Sequence, residues 1–235
     1  MTDTGTPVGR RVFLGLVGMG ALGVLFGAKI QDFLEQHTAS LVAKDGTGLA
    51  ALLPLGRFRL YTVTDGFPSR ATKDYTLSVK GLVDRPYTVT YEQLRALPPT
   101  KLVKDFQCVT GWRVPSVHWT GVLLRDLLDR AGVKSGATAL RFTSFDGEYT
   151  ESLTLDQARR PDVMVAYELE GKQLSSDHGG PARLYVAPMY GYKSCKWLDT
   201  IEVVDQVYPG YWEQNGYDVD AWVGRSNGRD DQPTS

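Results

Sequence analysis

With 235 residues the chain has room for one large domain or two small ones. A hydrophobic content of 42% with 12 tyrosines marks a globular, β-rich or mixed protein and excludes intrinsic disorder. A net charge of −1 with no Lys/Arg cluster excludes a nucleic-acid footprint, and two cysteines 87 positions apart exclude a disulfide framework, a Cys-x-x-Cys pair and a haem attachment site.

A polar start, Met1–Gly9, leads into Arg10-Arg11-Val12-Phe13-Leu14 and an apolar, glycine-rich run over residues 12–28, closed by Lys29. Paired arginines ahead of a moderately hydrophobic run form the twin-arginine export pattern. The ordinary alternative is a signal anchor with two positive-inside arginines. No Ala-x-Ala cleavage site follows. The 17 apolar residues extend roughly 25 Å against a bilayer core of about 30 Å, so the run also suits a retained membrane anchor. Residues 1–30 are therefore read as a twin-arginine signal or N-terminal anchor and 31–56 as a tether. The expected location is extracytoplasmic, in the periplasm or on the outer face of the cell envelope.

The body, residues 57–207, begins with a strand-like alternation over Phe58–Val63, broken at Gly66-Phe67-Pro68. Tyr75–Val83 alternates too and ends in the turn Asp84-Arg85-Pro86. Thr90 caps a short helix, Tyr91–Leu97, which stops at Pro98-Pro99. The next strand runs through Leu102–Phe106 and leaves Cys108 at or just past its end. Gly121–Ala131 places Val122, Leu123, Leu127, Leu128 and Ala131 on one face of an amphipathic helix closed by Gly132. Leu140–Phe145 and Tyr149–Leu153 form a hairpin about Asp146-Gly147. Thr154–Arg159 makes a helical turn or two, and strands follow at Val163–Leu169, Leu184–Ala187 and Ile201–Val204. Strands and short helices mix without regular βαβ alternation, so the expected fold is α+β with a mixed sheet in a single domain. The tail, residues 208–235, carries Trp212, Tyr217 and Trp222 and reads as a wrap over the domain or the mouth of its site.

Two stretches carry chemistry. The first, Lys104–Trp112, sets Cys108 between a strand and a Gly-Trp turn, although a lone cysteine is most often a small buried hydrophobe. The second, residues 176–197, places His178 before a Gly-Gly-Pro turn, Arg183 at the start of a strand, and Lys193 and Lys196 around Gly191. Glycine, hydroxyl and cation around one turn make a competent phosphate nest, and taken singly these residues read equally well as a solvated loop.

Together, Cys108-Val109-x-x-Trp112, His178-Gly-x-Pro181-x-Arg183-Leu and Tyr190-Gly-Tyr-Lys193-Ser194-x-Lys196-Trp197 resemble the sulfite oxidase-like molybdopterin oxidoreductases, a family that includes the periplasmic methionine sulfoxide reductase catalytic subunit. The resemblance runs over roughly residues 58–207 and implies the sulfite oxidase molybdopterin-binding fold. It also implies a molybdenum–molybdopterin (Mo-MPT) cofactor whose metal is held by the pterin dithiolene and the Cys108 thiolate. Such a soft, anionic ligand suits the metal. His178 and Arg183 match the family's pterin and phosphate contacts. Ser194, Cys195 and Lys196 match a second cofactor segment, with Cys195 acting through its backbone. Ser144 aligns with a further contact, and the segment from Tyr61 through Thr64 to Asp65 takes the place of another.

The implied reaction is two-electron oxygen-atom transfer on a small oxyanion or a sulfoxide. Cys108, Arg113 and Tyr190 are expected at the reacting centre, with Trp112 and His118 beside them at the mouth. The implied electron partner is a cytochrome c or a membrane haem protein, because the chain has no haem site of its own. Too few residues follow Val207 for the C-terminal dimerisation sandwich of the animal and plant sulfite oxidases. The alternative is a non-catalytic exported binding module that keeps the fold without the metal; the intact Cys108, Arg183 and Lys196 argue against it.

Overall fold

The structure, a computed structural model, describes residues 58–235; the export signal, anchor and tether expected over residues 1–56 lie outside the described residues. In chain order the strands are β1 (Thr76–Gly81), β2 (Tyr87–Thr90), β3 (Thr100–Gln107), β4 (Arg113–Leu123), β5 (Ala139–Ser144), β6 (Thr150–Thr154), β7 (Val163–Leu169), β8 (Lys172–Gln173), β9 (Arg183–Val186) and β10 (Leu198–Val204). Three short helices interrupt them: α1 (Tyr91–Arg95), α2 (Leu124–Ala131) and α3 (Leu155–Ala158). One sheet has the order β2-β1-β10-β5-β6, with β1 and β10 parallel and the other pairs antiparallel. The second runs β3-β4-β7-β8, and β9 also pairs with β7. This is the expected mixed-sheet α+β architecture.

Local chemistry accounts for the helix ends. Thr90 and Thr154 each accept from a backbone N–H three residues on, while Gln93 and Gln157 reach back, so two Thr-x-x-Gln capping boxes start α1 and α3. Gly132, at φ 70°, takes the left-handed cap that ends α2. The run Val163–Tyr167 is buried at every position because β7 faces two cores. Val163, Val165 and Tyr167 join α2 and the first sheet in the larger core. Met164 and Ala166 turn to a second core built on Phe106, Trp112, Trp119 and Tyr185. That second core supports the hairpin carrying Cys108.

Two expectations are corrected. Phe58–Val63 is irregular, because its alternating residues find no strand to pair with. The helix expected from Gly121 begins at Leu124, since residues 121–123 close a β4 that the sequence hid. Pro115 and Gly121 disguised this strand. Pro115 falls in the register break between Lys104 and Phe106. Gly121 lies against the Val165–Ala166 backbone, where a Cβ has no room.

Candidate functional site

The β3–β4 hairpin turns tightly over residues 108–112. Cys108 N–H donates to the Trp112 carbonyl at 2.9 Å and Gly111 N–H to the Cys108 carbonyl at 3.1 Å, with Gly111 at φ 103°. This fixes the Cys108 side chain at the sheet end, half-buried. Burial pushes its thiol pKa up, and the Thr110 hydroxyl, donating to Sγ at 3.2 Å, pulls it back. The charges of Arg229 and Arg59 favour the thiolate further. A bound metal would fix the deprotonated form outright.

Facing it are the loop Ser175–Pro181 and the segment Tyr190–Trp197. Arg183, buried at the start of β9, joins the two: Nη1 donates to the His178 carbonyl at 2.9 Å and Nη2 to the Ser194 carbonyl at 2.7 Å. Burial lowers its pKa to about 10, so it stays a cation at neutral pH. Lys196 Nζ donates to the carbonyls of Tyr61 and Asp177, at 3.0 and 2.9 Å. Burial first, and then the Arg183 charge, bring Lys196 down to about 7. Burial likewise lowers the His178 imidazole, whose ring meets Phe58 edge-on at 4.9 Å.

Between these segments lies a cavity of about 370 Å³. Phe58–Val63, Cys108 with its turn, His178, Arg183, Ser194 and Lys196 line it, and Tyr149, Tyr192, Trp212 and Tyr217 form an aromatic wall. Trp112 Nε1 and His178 Nδ1, both on lining residues, are buried without a hydrogen-bond partner. At Gly179 and Gly191 a Cβ would strike Lys196 and the Phe106 ring, so these backbones press close to the cavity walls. A soft thiol, orphaned polar atoms, a cation below its usual pKa and close backbone suit a large anionic cofactor with a soft metal. Among the described residues no cluster of three His, Cys, Asp or Glu side chains could hold a metal. A metal here would need the cofactor's own ligands beside Cys108.

The expected site residues divide. Cys108, Tyr61, His178, Arg183, Ser194 and Lys196 line the cavity, as does Trp112. Thr64 and Asp65 lie just past the lining stretch, and Thr64 bonds to Thr62 at 3.0 Å. Ser144 is buried and accepts from Asp146 N–H, shaping the turn that carries Tyr149. Cys195 is fully buried, and its carbonyl accepts from Leu184.

Arg113 and Tyr190, expected at the reacting centre, are not among the residues that line the cavity. The guanidinium of Arg113 is taken up by Gln107, Asp105 and the carbonyls of Gln232 and Pro233. Tyr190 donates to Asp231 at 2.8 Å, and burial pushes its pKa up to about 12. Both residues secure the C-terminal segment. His118 points to solvent on β4, away from the mouth it was expected to flank. The lining residues Arg59, Thr110, Tyr149 and Tyr192 were not foreseen. Thr110 had a local signal in its place in the cysteine turn, and Tyr192 in its place in the second motif; Arg59 and Tyr149 had none.

Comparison with known proteins decides the family. Residues 65–212 match the model of the oxidoreductase molybdopterin binding domain. The chain belongs to that family. It is 35% identical over 171 residues to YuiH, an uncharacterised oxidoreductase of Bacillus subtilis, covering 68% of this chain and 86% of that protein. It is 31% identical over 179 residues to the sulfite oxidase of Arabidopsis thaliana, covering 62% of this chain but 46% of that enzyme, so it spans about half the length of the plant relative. The sulfane dehydrogenase SoxCD of Paracoccus pantotrophus shares the fold at a TM-score of 0.55 and 26% identity, over 60% of this chain and 41% of that one. Membership makes the chain a sulfite oxidase-like molybdopterin-dependent oxidoreductase with a Mo-MPT cofactor.

Proposed function

We propose that this protein carries out two-electron oxygen-atom transfer on a small oxyanion or a sulfoxide, with Cys108 as its protein ligand to molybdenum. The observation that carries the reading is the lone thiol held at the cavity floor by the 108–112 turn. When bound, the cofactor supplies the two-electron redox chemistry and the oxygen-transfer site. The chain's own residues bind and orient it. Arg183 fixes the His178 and Ser194 segments to each other, and Lys196 offers an ammonium to the cofactor's phosphate. Thr110 hydrogen-bonds the ligating sulfur, and the neutral His178 imidazole offers Nδ1 to the pterin.

Arg59 lines the cavity, and its charge favours negative charge at Cys108. We assign it the binding of the oxyanion substrate. The aromatic wall excludes water and offers an apolar face to a sulfoxide. Arg10-Arg11 with the apolar run supports export by the twin-arginine route, with residues 12–28 as an optional membrane anchor. Among the described residues no helix is long and apolar enough to cross a membrane. Electrons would pass to or from a separate haem protein.

Protein made in a host that synthesises molybdopterin should carry about one molybdenum per chain and turn over sulfite or methionine sulfoxide. Arg59→Ala should raise KM for the oxyanion about tenfold, the loss of one charge-assisted hydrogen bond. A metal-free product from that host would refute the reading.

A further inference from the structure

Behind the aromatic wall lies a group of charges that takes no part in the reading above. Lys193 is fully buried, its side chain 1% exposed, between Glu151 and Glu213. Its Nζ donates to Glu213 Oε1 at 2.6 Å and, in a shorter contact, to Glu151 Oε1, which also accepts the Ser152 N–H at 2.7 Å. Oε2 of each carboxyl is buried with no partner at ordinary hydrogen-bond length. Each member sits beside a cavity residue in the chain: Glu151 two after Tyr149, Lys193 between Tyr192 and Ser194, Glu213 next to Trp212.

Three segments that are distant in sequence therefore meet at one buried ammonium. The tail section before Glu213 runs along the free edge of β6, where Tyr211 N–H donates to the Thr150 carbonyl at 3.0 Å. On the cavity side Tyr149 donates to the Tyr192 carbonyl at 2.5 Å, and the Tyr192 and Tyr217 rings lie 5.4 Å apart. Two ionised carboxylates and one ammonium would leave a net negative charge in a site closed to water, a costly arrangement. Burial, with Glu213 close by, pushes the Glu151 carboxyl well above the usual carboxylate range. The other titratable groups around the cluster are Tyr149, Tyr192, Cys195 and Arg183. Burial pushes the two tyrosines and the thiol up, so at neutral pH they add no charge. Arg183 stays a cation, but its guanidinium donates to the His178 and Ser194 carbonyls and not to either glutamate.

We propose that Glu151, Lys193 and Glu213 form a net-neutral clamp, with one proton kept on the carboxyl pair, that positions the aromatic wall and the segment bearing Ser194 and Lys196. All three are positioning residues. What they position follows from the proposed function, whereas the clamp itself rests on the contacts above.

The sign of its pH dependence follows from linkage. Unfolded glutamates ionise near about pH 4.3. Above that value the folded protein retains a proton that the unfolded chain releases, so stability falls as pH rises until the raised Glu151 pKa is passed. One such proton lowers the folding constant about tenfold per pH unit.

The test compares the holoprotein with Glu213→Gln and Lys193→Met, measuring unfolding midpoints from pH 5 to 8 and pterin content after purification. Glu213→Gln leaves one carboxylate facing one ammonium. It should lose the downward slope of one proton and keep more than half of the wild-type pterin. Lys193→Met should retain less than a tenth. Wild-type slope in Glu213→Gln, or wild-type pterin in Lys193→Met, would overturn the clamp. If Lys193→Met does not fold, the slope of Glu213→Gln decides alone. Wild-type protein without pterin would refute the proposed function and leave the slope test standing.

Discussion

Lys193, fully buried, and Lys196, half-buried, lie three residues apart in one segment, and their surroundings differ in kind. Lys193 has two carboxyl partners within the fold. Lys196 has two backbone carbonyls and the Arg183 cation nearby, and its pKa falls to about 7. The first is a charge the protein has already answered. In the proposed function the second is a charge left for the cofactor's phosphate. A buried cation with its counter-ions built in belongs to the architecture; one without them marks where a ligand's charge belongs.

Substituting each lysine by methionine should split stability from binding. Lys193→Met strands two buried carboxyls and should cost about 3–5 kcal/mol, read from the denaturant midpoint of cofactor-free protein. Lys196→Met removes a cation whose burial is itself unfavourable. At pH 7 its midpoint should not fall below that of wild type, while pterin occupancy falls about tenfold. Equal losses of stability in both variants would erase the distinction.

A smaller effect sharpens it. Unfolded lysine titrates near about 10.4, whereas folded Lys196 releases its proton at about 7. Between these values the unfolded chain binds more protons, so Lys196 makes cofactor-free stability rise with pH. The difference in midpoint between wild type and Lys196→Met should therefore shift in favour of wild type from pH 7 to 9. In loaded protein the phosphate restores the charge, and that trend should vanish. Cofactor affinity should fall over the same range, because binding takes up a proton.

The same contrast separates what was readable in the chain from what was not. Cys108 at a strand end, His178 before its glycines and Lys196 beside Ser194 are local patterns, and the cavity gathers all of them. The partners of Lys193 come from 42 residues before and 20 residues after it, and no local spacing marks them. Arg113 looked like a mouth residue because it follows the cysteine turn. Chain about 120 positions later takes up its guanidinium. Phe58–Val63 alternates as a strand does, yet its role is to line the cavity, since alternation records two faces and not a pairing partner. The β4 strand was hidden by Pro115 and Gly121, residues that depress strand propensity but here serve a bulge and a close backbone approach.

In the proposed function the Cys108 sulfur is the protein's ligand to molybdenum. X-ray absorption at the molybdenum edge tests it most directly, on loaded wild type and on Cys108→Ser. The serine variant should lose one sulfur from the metal's neighbours and keep its pterin, because the contacts to Ser194 and Lys196 are untouched. An unchanged sulfur count in Cys108→Ser would contradict the assignment.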